Sequence, residues 1–86
     1  MNYHRLRTRE EKALGVLGCP LRSRREALLF EDVLPGTRFI MDGVRHDLMI
    51  DFLDSAGNVI ETVRMQALTG SAIAPGGTAH AVERLP

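Results

Sequence analysis

Two periodicities divide the chain. Between Thr8 and Leu17 apolar residues recur at helical spacing, with Ala13, Leu14 and Leu17 on one stripe. From Ala27 onward they come in short runs or in strict alternation, the pattern of strands. The helix has a marked start. Thr8-Arg9-Glu10-Glu11 is a capping box, in which the Thr8 hydroxyl accepts from the Glu11 amide and the Glu11 carboxylate accepts from the Thr8 amide. Glu10 and Glu11 also bring negative charge to the positive end of the helix dipole. Gly18 is expected to take the left-handed closing position and Pro20 bars continuation, so a helix is predicted over 9–17. A helix so short does not persist alone in water and must dock.

Ala27–Phe30 reads as a short buried strand and Arg38–Met41 as a second, with turn residues at Pro35-Gly36 and Asp42-Gly43. Leu48–Leu53 alternates, placing Leu48, Ile50 and Phe52 on one face and Met49, Asp51 and Leu53 on the other. Asp54–Asn58 predicts a hairpin loop with Gly57 or Asn58 at positive φ, returning as a strand over Val59–Met65. Residues 69–78 are expected to form an open loop and Ala79–Leu85 the last strand. No element is predicted before Thr8.

One helix followed by strands, with no second helix to cross between parallel strands, predicts an α+β fold. The expected form is one N-terminal helix packed on a curled, mostly antiparallel β-sheet, barrel-like because closure limits exposed edges. At 86 residues the chain is read as a single domain, 1–86, with a thin core. Self-association often completes such cores, which leaves a homo-oligomer open. Cys19 stands alone, so neither an internal disulfide nor a cysteine-rich zinc site is possible. No apolar run is long enough to span a membrane and no signal-peptide pattern is seen, so the expected location is cytoplasmic.

The formal net charge of zero hides a split. Residues 1–25 carry seven basic side chains against two acidic ones, and residues 26–86 carry four against nine. Such an arm can bind a polyanion or can pack against its own acidic half. Tyr3 is the one aromatic in the basic segment, too little for base stacking, so nucleic-acid binding stays an alternative rather than the main reading.

Asp42, His46, Asp47 and Asp51 form the densest polar cluster, yet no metalloprotease or calcium-loop spacing is present. Turn capping by Asp42 and Asp47 and a partly exposed Asp51 account for them; a small enzyme using Asp42, His46 and Asp47 is the alternative. Cys19 follows a helix C-terminus, which does not favour a thiolate. As a nucleophile it would need His4, His46 or His80 as a base within reach. Gly70–Gly77 carries no phosphate-binding glycine pattern. No metal, cofactor or enzymatic activity is expected.

The order of motifs resembles the bacterial and archaeal domain of unknown function 192. Thr8-Arg9-Glu10-Glu11-Lys12-Ala13-Leu14-Gly15-Val16-Leu17 is similar to that family's T-x-x-E-R-x-x-G-L-M, and Ala27-Leu28-Leu29-Phe30 to its G-M-L-F. Phe39-Ile40-Met41-Asp42-Gly43-Val44 stands where the family has F-W-M-K-N-T, and Phe52-Leu53-Asp54-Ser55-Ala56-Gly57 fits its F-x-D-x-x-G. Apolar and glycine positions are kept; the polar signature is replaced by Ile40, Asp42, Gly43 and Val44. The resemblance spans about residues 8–85 and implies a helix-capped antiparallel sheet, with no reaction, because the family has no established activity. The expected role is therefore a non-enzymatic ligand-binding or interaction module with a small-molecule or protein partner. Its candidate site is Arg38, Phe39, Met41, Asp42 and Arg45, of which Phe39 and Met41 serve equally well as core.

Overall fold

The capping box forms as its residues dictate. In a computed structural model describing residues 1–86, Thr8 Oγ1 accepts from the Glu11 amide at 3.1 Å and Glu11 Oε1 accepts from the Thr8 amide at 2.9 Å. The helix α1 runs Arg9–Leu14 and continues as a 3₁₀ turn, Gly15–Leu17. Two details differ from expectation. Gly15, at φ 50°, closes the α-helix, whereas Gly18 is right-handed at φ −91°. The conformation at Gly15 is one that side-chain-bearing residues rarely adopt, and it breaks the 3.6-residue rhythm. The docking residue is consequently Val16, which is buried, while Ala13, Leu14 and Leu17 are exposed.

Seven strands surround this segment: β1 Asn2–Leu6, β2 Glu26–Phe30, β3 Arg38–Ile40, β4 Leu48–Leu53, β5 Val59–Met65, β6 Ser71–Ile73 and β7 His80–Arg84. Five form one sheet in the order β1-β2-β7-β4-β5, and β3 pairs with β6 in a second, two-stranded sheet. All pairings are antiparallel except β1 with β2, which run parallel with the helical segment as their crossover. The fold is α+β, with one short helix on a mostly antiparallel sheet. The larger sheet is not closed into a barrel; β1 and β5 are its edges. β1 escapes the sequence because Leu6 is its one buried side chain. β6 corrects the loop expected over 69–78: its three residues pair with Arg38–Ile40.

The core lies between the larger sheet and β3–β6. Leu48, Ile50 and Phe52 are buried on the predicted face, joined by Leu28, Met41 and Met65. Complete burial of side chains of this kind contributes roughly 1.5–3 kcal/mol each. On the central strand β7, Ala81 pairs with Phe30 on one side and Phe52 on the other. Directly opposite residues share a face, so the small Ala81 leaves a gap between two rings. Phe39 of β3 fills it edge-on, 5.2 Å from Phe30 and 5.8 Å from Phe52 between ring centroids.

Candidate functional site

Where β3 and the 3₁₀ turn stand apart, a cavity of about 470 Å³ remains. That volume is within the range of small-molecule sites. Phe30, Phe39, Met41 and Leu48 form its apolar walls, and Val16 and Gly15 come from the helical side. Leu14, Leu17, Leu34 and Ile40 also line it, and each is more than half exposed. A cluster of exposed large apolar side chains around one opening marks an interaction site more strongly than scattered ones do.

Glu83 is the chemical centre of this cavity. It lies two residues after Ala81 on β7 and therefore on the same, core-facing side. Its cross-strand partners are Leu28 and Ile50, both fully buried, and Glu83 itself is only 5% exposed. No protein group donates a hydrogen bond to its carboxyl and no cation pairs with it; desolvation pushes the carboxyl up to about 7. No fully enclosed side-chain oxygen or nitrogen lacks a partner, so the carboxyl must keep an opening, and the cavity it lines supplies one. Gly15 makes the space. A Cβ at that position would stand 3.6 Å from Glu83 Oε1 and 3.5 Å from Phe30 Cζ.

Arg84, the next residue, faces the other way and is satisfied. Its Nε donates to Asp51 Oδ2 at 2.8 Å, while the Thr62 hydroxyl donates to Asp51 Oδ1 at 2.6 Å. Burial opposes ionisation of Asp51, but the Arg84 and Thr62 contacts outweigh it and hold the carboxyl below its usual range.

Of the residues singled out from sequence, Arg38, Phe39, Met41 and Asp42 line the cavity; Arg45 is exposed and does not. Met41 is also core, at 1% exposure, and Phe39 is half-buried against the core. The Asp42–His46–Asp47–Asp51 cluster does not converge. Asp47 accepts from the Ala67 amide and from Arg64, which hold its carboxyl low, and Asp51 is engaged with Arg84 on the sheet. No three His, Cys, Asp or Glu side chains gather as metal ligands would. Cys19 is half-buried and lines a second hollow with His4, but no hydrogen bond joins them, and His4 Nε2 is 2.9 Å from Glu26 Oε1. The basic arm turns partly onto its own acidic half: Arg5 and Arg7 both reach Glu31.

The cavity residue that sequence reasoning misses is Glu83. In His80-Ala81-Val82-Glu83-Arg84 the polar pattern places Val82 inside and Glu83 outside. The usable signal was Ala81, whose small side chain shares the face of Glu83.

No protein-family model and no curated protein matches the chain. A solved structure does: a protein of unknown function from Novosphingobium aromaticivorans DSM 12444, with a TM-score of 0.81 and 22% sequence identity. The match covers 96% of this chain and 61% of that protein, so the chain spans under two thirds of its neighbour's length. At this identity the two share a fold. No helix here is long and apolar enough to cross a membrane.

Proposed function

We propose that this domain is a non-enzymatic ligand-binding module and that its ligand occupies the cavity between the 3₁₀ turn and β3. The observation that carries this reading is the cavity itself, with apolar walls, an apolar mouth and one unpartnered carboxyl. Sites of this make-up, mostly apolar with a few polar groups that fix orientation, are the usual form of small-molecule pockets. Arg38 and Asp42 stand at the wall where a ligand's polar atoms would be met, and Phe39 and Met41 provide packing surface. Arg45, outside the cavity, is dropped from the site. Catalysis gains no support from geometry, since Asp42, His46, Asp47 and Cys19 lack the base–nucleophile contacts such chemistry uses.

The resemblance to the domain of unknown function 192 is retained as our reading of ancestry. It rests on the motif order and on the helix-capped sheet, and it adds no activity. The unpaired thiol of Cys19 suits a reducing compartment such as the cytoplasm.

The test is a fragment screen followed by amide NMR. Binders should move the resonances of Val16, Phe30, Phe39, Ile40 and Met41 together, and Leu34→Trp at the mouth should weaken them without unfolding the domain. A folded protein in which no fragment moves those resonances would falsify the assignment.

A further inference from the structure

The cavity's charges are unevenly answered. Lys12, Arg38, Asp32 and Asp42 line it, two cations and two anions, so this outer set sums to zero. Glu83 is the remaining lining charge, and it has no ion pair or hydrogen bond with the protein. Its strand neighbours Leu28 and Ile50 offer no donor, and the adjacent Arg84 is on the opposite face, bound to Asp51. An isolated carboxylate in an apolar surrounding is costly, and the cost falls when a positive group with N–H donors meets it. A neutral ligand can meet only the protonated carboxyl and leaves the ionised form unpaired, and an anionic ligand adds a like charge to the ionised form.

We infer that the cavity takes a small ligand with an apolar body and one protonated amine, the ammonium meeting the Glu83 carboxylate and the body packing on Phe30, Phe39 and Met41. This rests on the cavity being the binding site. The proton balance follows. When Glu83 is protonated in the free protein, binding breaks its O–H bond, the proton passes to the buffer, and the carboxylate pairs with the ammonium, which keeps all of its own protons. Burial favours the protonated carboxyl in the free protein, so binding of the ammonium near pH 7 releases a fraction of a proton per ligand.

Benzylamine, benzyl alcohol and benzoate form a matched probe series. Titration calorimetry at pH 7, in two buffers of different ionisation enthalpy, should show benzylamine binding at least about tenfold more tightly than benzyl alcohol, with proton release for the amine alone. Glu83→Gln should abolish both the preference and the release while benzyl alcohol binding persists. If that variant does not fold, the proton count of the unaltered protein decides. Equal or tighter binding of the alcohol or the acid, with shifts at the cavity residues, overturns the amine assignment and leaves the cavity as a site. Failure of all three probes to move those residues overturns both.

Discussion

Two carboxyls on neighbouring strands of one sheet have opposite fates. Asp51 on β4 shares a face with Arg84 and Thr62 and is hydrogen-bonded to both. Glu83 on β7 shares a face with Leu28 and Ile50 and is bonded to nothing. The first is an interaction that holds the sheet together. The second is a standing cost, and the fold keeps it beside a cavity. A nearly buried carboxyl with no protein partner, opening only onto a cavity, is uncommon in folded proteins and is the kind of departure that collects at functional sites.

The two sites should respond oppositely to pH. Glu83 has a folded pKa raised above its ordinary 4.5, so its contribution is most favourable below 4.5 and is lost as pH rises to about 7. Asp51 has a depressed folded pKa, so its contribution is present above the ordinary 3.8 and is lost as pH falls below that value. Stability measured by urea unfolding should therefore peak between the two windows and decline on both sides.

The largest expected effect comes from removing the unpaired group. Glu83→Gln should abolish the loss of stability between pH 4 and pH 8, on the order of 3 kcal/mol for a carboxyl raised to about 7. A parallel pH dependence in the variant and the parent would place the cause elsewhere. Next is Asp51→Asn, which leaves Arg84 without its anion and should cost about 2 kcal/mol at pH 7 in the same measurement. A variant as stable as the parent would show that this pair contributes nothing. Gly15→Ala should cost no more than that, about 1–2 kcal/mol from the positive φ. Its Cβ also narrows the space before Glu83, so probe binding should fall by more than stability does; binding unchanged would mean that Gly15 serves the turn alone.

The parts of this arrangement that follow local rules were legible. The capping box at Thr8 and Glu11, the alternation of Leu48, Ile50 and Phe52, and the turn at Gly57, with φ 87°, each depend on neighbours in sequence. β1 and β6 were not, because both owe their existence to distant partners. Asn2–Leu6 pairs with β2, and Ser71–Ile73 with β3. Of the candidate site, Arg38, Phe39, Met41 and Asp42 line one cavity and Arg45 does not. Glu83 stayed hidden because β7 is the central strand, and alternation alone does not say which of its faces carries the core.

The most direct test is a pH titration of the Glu83 side-chain carboxyl by carbon NMR, with and without benzylamine. A midpoint near 7 is expected in the free protein, moving toward acid when the amine binds. A midpoint near the ordinary 4.5 in the free protein would contradict it, because Glu83 would then already be solvated or paired.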